Sequence, residues 1–497
     1  DVNPAAITAV TFTRRAAAEM RQRLQPLLGE AAQQMRLGTL HQIASEALRE
    51  LDSEQAAPLL VDNLEARGLI SDVLAETGSG RTGQARAVQD QISQWKAEGI
   101  RAGDLPPDEE LAVVYGAYEE RLIAWGAYDF DDLLLRWADR LRGDAALSGQ
   151  HERCRWLLVD EFQDVNAVKY RLVRALAGEG DGLFVIGDPD QAIYGFRGAD
   201  AGFFHRLRTD FPAAVDVTLE TNYRSVTGIA RAATELLGKG PLSPLPAGRA
   251  AIELIDTPSE TAEAVAVVHR ARDLVGGTDM LNSTSTGPEA GEYGFGDMAI
   301  LVRTGQQAVE IERCLLEEGL PYRLLGHTSF LEERGPREAL AFFRYALEPT
   351  RPLRLLEALR GSSPFHPGDA AVRDLSRALV STQVMDRAIA ELATTPAVQV
   401  EAMRRAAEGY GRRTDADPPA MVLRAWQKDL AVEPSEAFDR LVQTAQSFDT
   451  MRQLLDNLSL GGEADVERQG GERHNGEAIS VMTMHAAKGL EFPVVFL

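Results

Sequence analysis

The sequence predicts an α/β protein with two parallel sheets, each interrupted by a long helical segment. Three observations carry that expectation. Trp156-Leu157-Leu158-Val159 and Leu183-Phe184-Val185-Ile186 are short apolar runs that each end in an acidic cluster. This is the pattern of buried parallel strands that deliver polar groups to their C-terminal ends, where such sheets place ligands. Strand-like and helix-like runs alternate between 252 and 325, which again implies a parallel sheet. Residues 50–127 and 337–458, by contrast, carry helical spacing.

Taken in order, residues 5–12 form the first strand, and Thr13 caps a helix whose Ala17, Met20, Leu24 and Leu27 or Leu28 recur at helical spacing. Residues 50–127 read as helices, for example 57–69 and 111–125, with no visible chemistry. Tyr128-Asp129-Phe130-Asp131-Asp132-Leu133-Leu134 marks the return to the α/β core. Its three acids read as a solvated helix start rather than a metal site, because acids favour helix N-termini. The run 156–159 reads as a strand buried on both faces, and 215–219 as a third strand. The Gly- and Pro-rich stretch 238–248 is a linker. Strands are expected at 252–255, 298–303 and 322–325, helices at 260–274 and 307–318, and a long flexible loop at 276–296. Helices follow at 337–347, 370–379, 388–392, 398–408, 420–430 and 436–458, then a polar loop at 461–476 and a strand from Ile479. Arg404, Arg405, Arg412 and Arg413 form a basic cluster that could meet duplex DNA, though a solvated helix face is the commoner explanation.

Composition sets the outer limits. At 497 residues, 44% hydrophobic and 26% charged, the chain has room for roughly three to four domains and several cores. No apolar run approaches the ~18 residues that span a membrane and no signal-peptide pattern opens the sequence, so a cytoplasmic protein is expected. Cys154 and Cys314 are too few and too distant for a metal site or disulfide framework, which fits a reducing compartment. The net charge of −23 argues against a polyanionic partner for the chain as a whole. Binding depends on local field, however, and residues 10–49 carry Arg14, Arg15, Arg21, Arg23, Arg36 and Arg49 against Glu19, Glu30 and Glu46. Residue 1 is Asp rather than Met and both ends fall in strand-like runs, so the sequence reads as a fragment cut at both ends.

The chemistry lies in three clusters that stand in one order. They are Val159-Asp160-Glu161-Phe162-Gln163-Asp164, the long run Gly187-Asp188-Pro189-Asp190-Gln191-Ala192-Ile193-Tyr194-Gly195-Phe196-Arg197-Gly198-Ala199-Asp200, and Asn222-Tyr223-Arg224-Ser225. A lone apolar run ending in Asp-Glu is most often a solvated strand end. Its functional reading is a Walker B pair, the first carboxylate holding magnesium and the second acting on the water that attacks a γ-phosphate. Together the three clusters resemble motifs II, III and IV of the superfamily 1 DNA helicases of the UvrD, Rep and PcrA type. The resemblance extends from Thr11-Phe12-Thr13 to a motif V match at Met484-His485-Ala486-Ala487-Lys488-Gly489-Leu490-Glu491-Phe492, and it is weak only between about 350 and 470.

The resemblance implies two RecA-like motor domains, each with a helical insertion: a first at 1–50 and 128–237 around an insertion at 51–127, and a second at 249–340 and 477–497 around an insertion at 341–476. It implies an ATP-dependent helicase that moves 3′ to 5′ on single-stranded DNA and unwinds duplex, with ATP and Mg2+ in the cleft between the motor domains. Asp160 would hold magnesium, Glu161 would act on the attacking water, Gln191 would sense the γ-phosphate and Arg224 would stabilise transition-state charge. Tyr223 would stack on adenine and Glu491 would face the nucleotide. Phe12, Tyr194 and Phe196 would stack on DNA bases, and Arg197 would link the two sites. Thr39 and His41, from Thr39-Leu40-His41, would touch the phosphate backbone, and His485 would face DNA. Around 330–336 the match departs from the family's Phe-x-x-Arg-x-Glu, with Glu333 and Gly335 at the last two places.

Two rivals share these features. One is the motor part of a RecB- or AddA-type helicase-nuclease, which a downstream nuclease domain would decide. The other is a non-catalytic DNA-binding remnant, against which intact Asp160, Glu161, Gln191 and Arg224 count. A Gly-x-x-x-x-Gly-Lys-Ser/Thr loop occurs nowhere, and the nearest candidate, Gly238-Lys239, has Ala233 where the first Gly is required. In the resembled family that loop precedes the Thr-Phe-Thr corner, so these residues read as a fragment inactive alone.

Overall fold

The computed structural model describes residues 2–51, 59–79, 81, 83–107, 109–141, 144–195, 198–240, 252–275, 293–325, 331, 333–362, 364–382, 384–414, 416–459, 468–470 and 478–497. It comprises two units, Asp1–Asp210 with Thr328–Asp465 and Phe211–His327 with Val466–Leu497. Among the described residues no helix is long and apolar enough to cross a membrane.

In the first unit the strands are β1 (Ile7–Thr11), β2 (Arg36–Thr39), the two-residue β3 (Leu59–Leu60) and β4 (Ala127–Tyr128), β5 (Trp156–Val159) and β6 (Leu183–Val185). The main sheet is parallel with the order β2-β1-β5-β6. Its register sets Val10 beside Val159 and Thr11 beside Thr39, so Phe12, Thr39 and Asp160 all emerge at the C-terminal edge. The expectation that 156–159 is buried on both faces fails. Leu157 and Val159 are buried, whereas Trp156 and Leu158 are 38% and 37% exposed and Phe184 on β6 is 57% exposed. Among the described residues only one face of this part of the sheet is fully packed.

The first helical segment contains Asn63–Glu76, Ala85–Glu98 and Glu110–Ala124. The first of these starts later than periodicity suggests, because Asp62 caps it: its carboxylate accepts from Leu64 N and Glu65 N, both at 2.9 Å. The acids at 129–132 also depart from expectation. Asp129 does cap the helix Phe130–Arg140, but the helix start is not solvated. Lys96, 1% exposed, donates to Asp129 Oδ2 at 2.6 Å and to Asp132 Oδ1 at 2.9 Å, and Tyr118 Oη donates to Asp129 Oδ2 at 3.0 Å. Burial alone would lower the Lys96 pKa; the two carboxylates outweigh it and hold the ammonium above its usual range. Lys96→Met strands two buried carboxylates and is expected to cost about 3–5 kcal/mol of unfolding free energy. Urea titration checks this, and a loss below about 1 kcal/mol would mean the cluster behaves as a screened surface pair.

The helices from Arg334–Leu347 to Met451–Ser459 belong to this first unit, although they lie in sequence between two strands of the second. Three arginines hold them to the helix Asn63–Glu76. Arg344 pairs with Asp62 and, at 3.5 Å, with Glu65; Arg354 pairs with Glu65; Arg360 pairs with Asp72. Gly68 makes room for the last of these, since a Cβ there would stand 2.8 Å from Arg360 Nη1. Burial pushes the neighbouring Glu357 carboxyl up to about 7, against the pull of Arg360 at 2.5 Å. In the basic cluster, Arg404 pairs with Asp386 and Glu401, Arg412 with Glu408, and Arg413 with Asp417. Those side chains are a charge-paired helix face.

The second unit contains β7 (Met298–Val302), β8 (Tyr322–Leu325), β9 (Arg468–Gly470), β10 (Ile479–Thr483) and β11 (Val494–Phe496) in the order β11-β7-β10-β8-β9, parallel except for β9. Helices Glu260–Val275 and Gly305–Glu317 bury Val268, Ala271, Ile311 and Leu315 against Met298, Ile300, Tyr322 and Val481. Three expectations are corrected. Residues 215–219 and 252–255 take no regular secondary structure and join no ladder among the described residues, with Val215 at 85% and Leu254 at 97% exposure. A strand needs a neighbour to bond, and alternation alone supplies none. The polar stretch 461–476 contains the short strand β9, an edge partner of β8, at its described residues. The expected linker and loop fall mainly on 241–251 and 276–292, outside the described residues, as do Phe330 and Glu332.

Candidate functional site

β5 ends at Val159, and the next two residues carry the acids. Asp160 N donates to Val10 O at 2.9 Å, which fixes the exit from the strand beside β1. Asp160 Oδ1 accepts from Glu161 N at 3.0 Å. Glu161 is in the left-handed region, with φ 51° and ψ 47°, a conformation uncommon for a residue with a long side chain. Strain of this kind gathers at functional sites when the surroundings enforce it. Here Phe162 N bonds Ile186 O at 2.9 Å, and the short 3₁₀ turn Phe162–Asp164 is buried.

Gln163 is fully buried and joins the two acidic clusters. Its Oε1 accepts from Asp188 N at 2.9 Å, and its Nε2 donates to Glu161 Oε2. A backbone N–H can only donate, so the amide orientation is fixed and the NH2 must face Glu161. Gly187 is required for this approach: a Cβ would meet Gln163 Oε1 at 2.5 Å and Phe162 N at 2.9 Å. Asp188 then caps the turn Pro189–Gln191, and its Oδ2 accepts from Gln191 Nε2 at 2.8 Å. A hydrogen-bonded run thus passes from Glu161 through Gln163 and Asp188 to Gln191. The sequence holds all four residues, yet Gln163 was assigned no role there, because its partner lies 25 positions away.

Three residues beyond Gln191, Tyr194 stacks on Phe12 with ring centroids 5.0 Å apart and planes at 27°. Phe12 is at the corner between β1 and the helix Arg14–Leu28, where Thr13 Oγ1 accepts from Ala16 N at 3.1 Å. Thr39, at the end of β2, brackets Gln42 with two hydrogen bonds of 3.0 and 3.3 Å, and His41 stacks on Phe130 at 4.1 Å. Phe196 and Arg197 lie outside the described residues.

In the second unit Asn222 Oδ1 accepts from Arg224 N at 2.8 Å and Ser225 N at 3.0 Å, forming a tight polar turn. Tyr223 projects from it at 85% exposure. Arg224 Nη2 pairs with Glu491 Oε1 at 2.7 Å, both side chains being mostly exposed. Two residues chosen on separate motifs are therefore adjacent. His485 is half-buried in the turn that follows β10, where Thr483 Oγ1 accepts from Ala486 N at 3.2 Å and Gly489 has φ 80°.

Residues 1–212 match the UvrD/REP helicase N-terminal domain, and residues 217–391 and 428–497 match the UvrD-like helicase C-terminal domain. DNA helicase II of Escherichia coli (strain K12) is 30% identical over 553 residues, covering 100% of this chain and 72% of that protein. The chain belongs to the UvrD-like helicase family. DNA helicase II of Salmonella typhimurium is likewise 30% identical with the same coverage. The ATP-dependent DNA helicase PcrA of Bacillus subtilis is 29% identical over 546 residues, covering 100% of this chain and 71% of that protein. Family membership makes the two parallel-sheet units RecA-like motor folds, and in the first of them the clusters at 160–164 and 187–191 follow the ends of β5 and β6.

A magnesium ion fits the residues present. Among the described residues no group of three or more His, Cys, Asp or Glu could hold a metal by itself. Mg2+ is commonly bound by only one or two carboxylates together with substrate phosphates, and Asp160 at the strand end offers such a hard oxygen donor.

Proposed function

We propose that the protein is an ATP-dependent DNA helicase that moves 3′ to 5′ along single-stranded DNA and unwinds duplex. The observation that carries this reading is the run Glu161-Gln163-Asp188-Gln191, which leads to the Tyr194–Phe12 ring pair. One end of the run has a carboxylate and amides of the kind that act on water and phosphate in a phosphate-hydrolysing site, and the other has an aromatic platform suited to nucleobases. The names of the family relatives support the same reading. A cytoplasmic location suits such a substrate.

In this mechanism Asp160 would hold Mg2+, which would supply neutralisation of the charge that develops on the transferring phosphoryl group. Glu161, oriented by the Gln163 amide, orients the attacking water and takes its proton. Gln191 responds to the γ-phosphate, Arg224 meets the charge of the transition state, and Glu491 keeps that guanidinium oriented until it is needed. Tyr223 packs on adenine. Phe12 and Tyr194 stack on bases without reading sequence, while Thr39, His41 and His485 contact the strand. Phe196 and Arg197 keep the roles that the family motif gives them.

The test is direct. The full-length protein should hydrolyse ATP faster with single-stranded DNA and unwind duplexes bearing a 3′ tail in preference to a 5′ tail. Tyr194→Ala should weaken single-stranded DNA affinity by roughly 5- to 150-fold, the equivalent of about 1 to 3 kcal/mol of base stacking. Hydrolysis indifferent to DNA would overturn the helicase reading, and unchanged affinity in the Tyr194 variant would mean that the ring pair is packing.

A further inference from the structure

Lys169 has no place in the motifs, yet it adjoins the ring pair. It lies in the first turn of the helix Ala167–Ala177, where its backbone N–H donates to the capping Asn166 at 3.0 Å. Its Nζ sits 4.6 Å from the Phe12 ring centroid and donates to Asp164 O at 3.3 Å. Asp164 closes the same 3₁₀ turn that follows Glu161. A cation in the first turn of a helix is electrostatically disfavoured, so helix stability does not explain the choice of lysine. The side chain is half-buried and its ammonium lies at the Phe12 ring.

We propose that Lys169 is a DNA-backbone contact of the Phe12–Tyr194 platform, binding the phosphate of the nucleotide whose base stacks there. The ammonium rests over the π-face of Phe12. A cation–π contact at a partly exposed site is worth only about 0.5–1 kcal/mol, and a phosphate anion is the stronger partner for a compact ammonium. Stacking brings a base to Phe12 and Tyr194, and its phosphate then falls within reach of a side chain already at the ring. The carbonyl of Asp164 stays available to hold the lysine head, so the contact requires no rearrangement of the turn. This assignment rests on the reading of Phe12 and Tyr194 as the DNA platform and adds to it an ionic partner.

Salt dependence separates the two. Binding of oligo-dT should be measured across about 50 to 200 mM salt for the full-length protein and for Lys169→Gln, Lys169→Arg and Phe12→Ala. Each phosphate contact on a single strand contributes about 0.7 to the slope of log affinity against log salt. Lys169→Gln should therefore bind more weakly at low salt with a slope shallower by about 0.7, so that its deficit shrinks about 2.6-fold over that range. Lys169→Arg should keep the parental slope. Phe12→Ala should lose affinity with its slope intact, because stacking releases no counterions. If Phe12→Ala weakens binding but Lys169→Gln leaves the slope unchanged, the lysine only seats the ring and the inference fails. If Phe12→Ala binds normally at every salt concentration, the DNA platform itself is misplaced and the inference falls with it.

Discussion

Replacing Arg224 with Ala is expected to lower DNA-stimulated ATP turnover by about 10³- to 10⁵-fold, the range lost when an arginine finger is removed from a phosphoryl-transfer site. Arg224 is mostly exposed and paired with Glu491 at 2.7 Å, so the side chain is held in place without being buried in a core. Its removal should leave the fold of the second unit intact, since its side chain is 61% exposed. Arg224→Lys should recover little, because an ammonium cannot reproduce the planar fork that meets two phosphate oxygens at once. Glu491→Gln should cost less than Arg224→Ala, because it loosens the guanidinium without removing it. Steady-state hydrolysis at saturating DNA and ATP measures all three; an Arg224→Ala enzyme within about tenfold of the parent would exclude the finger role.

Glu161→Gln should leave nucleotide binding within about threefold of the parent while reducing turnover by about 10²- to 10⁴-fold, the contribution of a positioned general base. The substitution keeps shape and removes the charge that accepts the water's proton. It is also compatible with the surroundings, since a glutamine at 161 can turn its carbonyl oxygen toward the Gln163 Nε2 that now faces Glu161. Nucleotide affinity is read by fluorescence titration with a labelled analogue, and turnover by phosphate release. Parallel loss of both would assign Glu161 a structural role. The left-handed backbone at Glu161 adds a caution for the choice of variant: a β-branched residue would be strained there for reasons unrelated to chemistry.

The clusters at 160–164 and 187–191 were legible because apolar strand and polar end are contiguous in the chain, and the sheet register then carried them to one edge. The same contiguity exposed Phe12, one residue beyond β1. What stayed hidden depends on partners far apart. Lys96 looks like one polar residue on a helix until Asp129 and Asp132, 33 and 36 positions later, enclose it. Gln163 and Lys169 are similar cases, defined by Asp188 and Phe12. The strands expected at 215–219 and 252–255 failed for the opposite reason. Alternation of apolar residues reports which side a residue prefers, but only a neighbouring ladder makes a strand. Asn222-Tyr223-Arg224-Ser225, expected to follow a strand, instead forms a turn that Asn222 determines locally.

The ion pairs between the helix Asn63–Glu76 and the later helices also set an order of events during synthesis. Asp62, Glu65 and Asp72 are separated from Arg344, Arg354 and Arg360 by 282, 289 and 288 positions. At about 5–20 residues per second, a ribosome needs roughly 15 to 60 s to make the arginines after the acids have been made. Carboxylates pay heavily for burial without a countercharge, so until then this surface of the nascent first helical segment stays hydrated. The intervening chain meanwhile lays down β5, β6 and the strands β7 and β8 of the second sheet. The main-sheet strands of the first unit can therefore pair before its helical surface is closed, and the later helices complete the first helical segment.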